Sequence, residues 1–288
     1  MSPSCRDALA ALADRERLPA EFGTTFELFW RPHAEAILAR RAAQSAMLVV
    51  GLCGPQGSGK STIAKALQLL LENGGAHAAI LSLDDLYLAR AERAQLAAFV
   101  HPLLQTRGVP GTHDVAMAMD VIDRLGAAEP VAMPCFDKAM DDRVDAAAWP
   151  IVRGPIDILI FEGWCVGARP QQDDALAAPV NALEAEADAA GIWRHYVNDR
   201  LASDYAALFA RIDYQILLRA PSFEIVTRWR IEQEHKLRAR LGDRARTMSD
   251  DEIAHFVRHY ERLTRHIAAE MPGRAELVVD LGEARQTP

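Results

Sequence analysis

Residues Gly54 to Ser61 read GPQGSGKS, which fits GxxxxGK followed by Ser or Thr, and they lie between the apolar run MLVVGLC (Met47 to Cys53) and the helix-like stretch STIAKALQLLLE. A strand, a glycine-rich turn and a helix in that order cradle a polyphosphate: the N–H groups of the turn point inward and the helix N-terminus faces the anion. Gly54, Gly57 and Gly59 permit the turn, Pro55, Gln56 and Ser58 complete it, and Thr62 follows it into the helix. Lys60 then reaches the β- and γ-phosphates, and the Ser61 hydroxyl binds Mg²⁺. ATP and Mg²⁺ are the expected ligands. A chance glycine turn would have to match the Lys-Ser pair and both flanking elements by accident.

Phosphoryl transfer asks for little covalent chemistry, but a carboxylate that orients an attacking hydroxyl is a recurring part. The segment SLDDLYL places Asp84 and Asp85 at the end of a second apolar run, AAILSLDD (Ala78 to Asp85), with Asp84 the first choice for this base. The competing role is capping of the next helix. Glu162 ends the buried run IDILIFEG (Ile156 to Gly163), where an acid would hold Mg²⁺ directly or through water. Lysine occurs only at positions 60, 65, 138 and 236, every other basic residue being arginine. A lysine in a motif is therefore informative, and Lys138, in FDKAMDD, is the candidate cation for charge developing on the transferred group.

These groups need a scaffold that brings them to one edge. Apolar runs at 47–53, 78–85, 156–163, 212–218 and 275–281, separated by helical stretches, predict an α/β fold with a mostly parallel central sheet flanked by helices and ligands at the strands' carboxyl ends. VAMPCF (Val131 to Phe136) reads as a further short strand. Residues 1–45 read as an N-terminal helical extension with an aromatic stripe of Phe22, Phe26, Phe29 and Trp30, and 46–288 as the nucleotide-binding domain. At 288 residues, half of them hydrophobic, the chain can bury a large core. A net charge of −8 argues against a nucleic-acid partner. No stretch approaches the roughly 18 apolar residues of a membrane span, so no membrane partner and a soluble, cytoplasmic monomer are expected. The four cysteines, without CxxC spacing, read as reduced thiols.

The set GPQGSGKST, SLDDLYL, RGVPGTHD, PCFDKAMDDR, FEGWCVGARP and YERLTRHI resembles D-glycerate 3-kinase, within the wider P-loop kinase group of phosphoribulokinase, uridine kinase and pantothenate kinase. The resemblance spans residues 45 to 281 and implies a P-loop NTPase fold and transfer from ATP to D-glycerate, with Asp84 matching the group's base. Leu86 stands where the group usually has Phe. Glycerate is a carboxylate with two hydroxyls, so its site needs a planar cation. Arg107, Arg143 and Arg169 are the candidates, with Asp85, Tyr87, Thr112, His113 and Trp164 as further substrate contacts. Another small alcohol, such as a nucleoside or pantothenate, and an ATP-binding regulatory role stay open.

The arginine-rich stretch 221–246 falls where nucleoside kinases of this group carry a helical lid, from which Arg228, Arg230 and Arg238 would reach ATP phosphates. Pairs at i,i+4 (Glu224 with Arg228, Glu232 with Lys236, Glu234 with Arg238) equally describe a solvated helix. Ser249 and Glu252 predict a capping box, followed by a buried face of Ile253, Phe256, Val257, Tyr260 and Leu263. His255, His259 and His266 are expected on the opposite, solvated face.

Overall fold

The computed structural model describes residues 1–19, 21–241 and 248–286; positions 242–246 of the expected lid lie outside the described residues. Two helices open the chain, α1 (Pro3–Glu16) and α2 (Phe22–Ala42), followed by β1 (Leu48–Cys53), α3 (Lys60–Asn73) and β2 (Ala78–Ser82). Next come α4 (Arg90–Phe99), α5 (Val115–Leu125), the short β3 (Pro130–Ala132), β4 (Phe136–Asp137), β5 (Asp142–Arg143) and β6 (Ile151–Arg153), then β7 (Ile158–Gly163). The last part holds α6 (Ala182–Ala187), α7 (Ile192–Ala202), α8 (Asp204–Phe209), β8 (Tyr214–Arg219), α9 (Phe223–Leu241), α10 (Asp250–Glu270) and β9 (Leu277–Asp280).

The central sheet runs β2-β7-β1-β8-β9, and every pairing in it is parallel. β1 and β7 are buried along their whole length, which explains their continuous apolar sequences. Alternate residues serve opposite faces. Leu48, Val50 and Leu52 join Ile158 and Ile160 in one core against α1, α2 and α3, while Val49, Leu159 and Phe161 join the other against α5 and α10. The aromatic stripe of α2 is part of the first core: Phe26 stacks on Trp30 with ring centroids 5.6 Å apart, both fully buried.

Two expectations change. VAMPCF is not one strand: Val131 belongs to β3, which pairs antiparallel with β6, while Phe136 belongs to β4, which pairs antiparallel with β5. Both ribbons lie outside the main sheet. The second apolar run also ends early, because Ser82 turns its side chain back onto the Asp84 N–H and Leu83–Leu86 form a 3-10 turn beyond β2. Among the described residues no helix is long and apolar enough to cross a membrane.

Candidate active site

The carboxyl ends of β1, β7 and β2 lie side by side, with Cys53 opposite Gly163 and Ser82 opposite Glu162. The loop after β1 therefore meets Glu162 at the end of β7 and Asp84 just after β2. Gly57 and Gly59 have φ of +74° and +85°, the left-handed region open to glycine at little cost. Gly59 caps α3 without a side-chain hydrogen bond, so the first amides of that helix face a ligand.

Glu162 is 4% exposed. Its Oε1 accepts hydrogen bonds from Ser61 Oγ at 2.9 Å and Ser82 Oγ at 3.0 Å, while its Oε2 is buried with no partner. A buried carboxylate oxygen left unpaired is costly, and together with the Ser61 hydroxyl it offers the hard oxygen donors that suit Mg²⁺. These residues fit that ion. Ser82 also receives the Asp84 N–H at 3.3 Å, joining the acid at the end of β7 to the acid after β2.

Asp84 is held on both oxygens. Tyr87 donates its hydroxyl to Oδ1 at 2.6 Å, and the Lys138 ammonium meets Oδ2 at 2.6 Å. Burial opposes ionisation of Asp84, but Lys138 and Lys60, with those hydrogen bonds, outweigh it and hold the carboxyl well below the usual range. Asp85 behaves oppositely. It accepts the Phe136 N–H at 3.2 Å, and its carboxyl is pushed up by burial, with Asp84 and Glu162 adding to the effect.

The loop RGVPGTHD is braced from several sides. Thr112 Oγ1 accepts from the Gly108 N–H at 2.8 Å and donates to the Val109 carbonyl at 2.7 Å. Trp164 donates its indole N–H to the Gly108 carbonyl at 2.7 Å, and Tyr260 donates to the Arg107 carbonyl at 2.8 Å. The ring of His113 stacks on Tyr87, its Nδ1 lies 2.6 Å from the Tyr205 hydroxyl, and its Nε2 is buried without a partner. Burial pushes the imidazole down to about 3, against a smaller upward pull from Asp84.

The structure thus joins Ser61, Glu162, Asp84, Tyr87 and Lys138 in one network. Among the candidate arginines, Arg107 pairs with Asp141, Arg143 with Asp114 at 2.9 Å, Arg169 with Glu270 at 3.7 Å, Arg228 with Glu283 at 2.8 Å and Arg230 with Glu234 at 2.7 Å, while Arg238 donates to the Met248 carbonyl at 2.8 Å. Neither pairing anticipated for Glu224 or Glu232 forms; Glu224 pairs with Arg265 and Glu232 with Arg285. The capping box of Ser249 and Glu252 opens α10 as expected. His259, placed on a solvated face by the sequence, is 6% exposed, and its ring packs edge-on against Trp193. The helix is covered on that side by α7, which local periodicity did not reveal.

Ser82, Tyr205, Arg93, Asp141 and Arg285 escaped the sequence reading. Arg285 donates to the P-loop carbonyl of Gly57 at 2.5 Å and stacks over Trp229. Only Ser82, two residues before Asp84, carried a local signal, since hydroxyls at that spacing bind a backbone N–H.

A parallel sheet of this order, a glycine-rich loop that opens a helix at Lys60, and an acid next to Ser61 together define a P-loop kinase. No family model matches the chain. It is 38% identical over 222 residues to an uncharacterized kinase of Schizosaccharomyces pombe, covering 74% of this chain and 78% of that protein. It is 31% identical to the chloroplastic D-glycerate 3-kinase of Arabidopsis thaliana, again over 74% of this chain but 46% of the longer plant protein. The structure of D-glycerate 3-kinase from Cryptococcus neoformans matches it with a TM-score of 0.74 and 26% identity, covering 89% of this chain and 95% of that one. The chain belongs to the P-loop kinase family that includes D-glycerate 3-kinase.

Proposed function

We propose that this kinase transfers the γ-phosphoryl group of Mg·ATP to D-glycerate, giving 3-phosphoglycerate. The observation that carries the reading is the continuous network from Ser61 through Glu162 and Ser82 to Asp84, with Lys138 on the far oxygen of Asp84. It supplies a metal-binding acid, a hydroxyl-orienting acid and a cation beside the phosphate loop. The choice of acceptor is supported by the two relatives named as D-glycerate 3-kinases and by Arg107 and Arg143, which surround Tyr87.

In this reading the loop amides and Lys60 hold the phosphates, and Ser61 and Glu162 hold Mg²⁺. That ion, held there, would supply charge neutralisation for the transferring phosphates. Asp84 accepts the hydrogen bond of the attacking hydroxyl and aligns it with the phosphorus. Its low proton affinity suits a loose transition state, in which the hydroxyl proton leaves late. As Lys138 swings toward the transferring group, Asp84 loses its main counter-charge and becomes a better proton acceptor when one is required. Arg107 keeps Asp141 on Nη1 and turns its remaining guanidinium N–H groups to the substrate carboxylate.

The test is ADP release from Mg·ATP with D-glycerate, L-glycerate, uridine and pantothenate as parallel acceptors. Stimulation by D-glycerate alone supports the reading. A different small alcohol is the second reading, favoured by the carboxylate partner already present on each of Arg107, Arg143 and Arg169, and stimulation by uridine or pantothenate would select it. ATP binding with no stimulation by any acceptor would favour a regulatory role.

A further inference from the structure

Lys138 lies in the turn between β4 and β5, a ribbon tied to the fold at its strands, where Phe136 donates to Asp85 and Arg143 pairs with Asp114. Its ladder consists of the pairs Phe136↔Arg143 and Asp137↔Asp142 alone, and a ribbon this short has no independent stability in water. Asp137 braces the turn by accepting the Ala139 and Met140 N–H groups, but an exposed lysine side chain at its tip would still spread its ammonium over many positions. Yet Lys138 reaches Asp84 at 2.6 Å.

The opposite end of the turn is fixed from outside. Asp141 adopts φ +55°, a conformation that costs a residue other than glycine about 1 to 2 kcal/mol. Its two carboxylate oxygens are taken by different arginines: Oδ1 by Arg107 and Oδ2 by Arg93 at 2.9 Å. Arg93, on α4, is 1% exposed and spends its other N–H groups on carbonyls, those of Leu88 at 3.2 Å, Gln105 at 2.8 Å and Asp141 itself at 2.8 Å. A guanidinium with that set of bonds has one orientation.

We propose that Asp141, clamped between Arg93 and Arg107, is the positioning residue that aims Lys138 at Asp84 and at the phosphoryl group in transit. The inference rests on the reading of Lys138 as the charge-neutralising cation. The clamp joins three separate segments, α4, the loop of Arg107 and the ribbon, so the place of the ammonium is set by the fold rather than by the ribbon's own pairing.

The test uses two readouts. Burial works against the Lys138 charge, but Asp84, with Glu162 and Asp85 beyond it, outweighs it and raises the ammonium's proton affinity, so trace acetylation should modify Lys138 more slowly than the exposed Lys236 in the same sample. Asp141→Ala should raise that relative rate about tenfold, the equivalent of one pKa unit, and Asp141→Asn, which keeps the shape, covers the case in which the alanine variant fails to fold. An unchanged rate in the folded variant overturns the proposal. In turnover with D-glycerate, Asp141→Ala should lower kcat about 10- to 100-fold, as expected for a misplaced catalytic group, with KM for ATP unchanged and no further loss in a Lys138→Ala background. Equal fractional losses in both backgrounds would mean general loosening and overturn it. Wild-type turnover by Lys138→Ala alone would remove the cation's assigned role, while the acetylation rates still decide whether Asp141 places it.

Discussion

The Lys138 ammonium and the Asp84 carboxylate meet at 2.6 Å, so the cation and the acid proposed to act on the transferring phosphoryl group form one ion pair. The pair keeps Asp84 ionised, since Lys138 favours its charged form. It also keeps the Lys138 ammonium beside the acid that follows β2. Under the proposed function a γ-phosphate would compete for the ammonium, which would link the arrival of ATP to the freeing of Asp84.

Asp84→Asn removes the charge and keeps the shape. ATP affinity should be retained while turnover falls by about two orders of magnitude or more, the scale of a lost general base. Equilibrium binding of ATP and steady-state ADP release separate the two effects. Near-normal turnover would take Asp84 out of the chemistry.

Ser82→Ala should act on the metal without touching it. Ser82 holds Glu162 Oε1 at 3.0 Å, and loss of such an outer partner typically weakens metal affinity about 10- to 100-fold. The Mg²⁺ concentration giving half-maximal activity should rise accordingly, and EDTA should abolish turnover until Mg²⁺ is restored. A Mg²⁺ titration identical to wild type would count against Glu162 as a ligand.

Gly57→Ala and Gly59→Ala form a contrast. Both glycines have positive φ, but a Cβ at Gly57 would lie 2.6 Å from the Cβ of Trp229, whereas nothing lies within 4 Å of one at Gly59. The second substitution should cost about 1 to 2 kcal/mol through backbone strain alone, and the first about 1 to 3 kcal/mol more through the clash with α9. Melting temperatures of the two variants measure the difference. Equal losses would show that α9 yields to the intruding methyl.

Stability should fall in mild acid because of two buried imidazoles. Burial pushes His113 down to about 3 and His259 down to about 4, from 6.5. Below pH 6.5 the unfolded chain takes up protons that the native state refuses, so stability declines with falling pH until the folded values are reached. Each histidine contributes at most about 1.4 kcal/mol per pH unit. Urea unfolding between pH 7.5 and 5 should show the slope, and His259→Gln should make it shallower. The same slope in that variant would mean that His259 is not the source.

The sheet was legible because its strands are buried on both faces and read as unbroken apolar runs, and the phosphate loop because its glycines, lysine and serine keep fixed spacing. Asp84, Glu162 and Lys138 followed from their positions after strands or from the rarity of lysine. The supports were hidden for a physical reason. Arg93 and Asp141 belong to different segments and meet only when α4 packs beside the β4–β5 ribbon, and nothing local distinguishes Arg93 from the chain's other arginines. His259 was misplaced in the same way, because α7 covers a helix face that periodicity alone assigns to water.

β1 lies between strands that come much later in the chain: Leu48 pairs with Ile158, and Val50 with Tyr214. The strand that delivers the phosphate loop therefore has no neighbour on either side until residues far beyond it have been synthesised. Loop-closure entropy must be met before these distant pairings reward it, which makes such sheets slow to form. The ability to hold a nucleotide should accordingly emerge late and all at once during refolding, with the loop exposed and shapeless until β7 and β8 close around its strand.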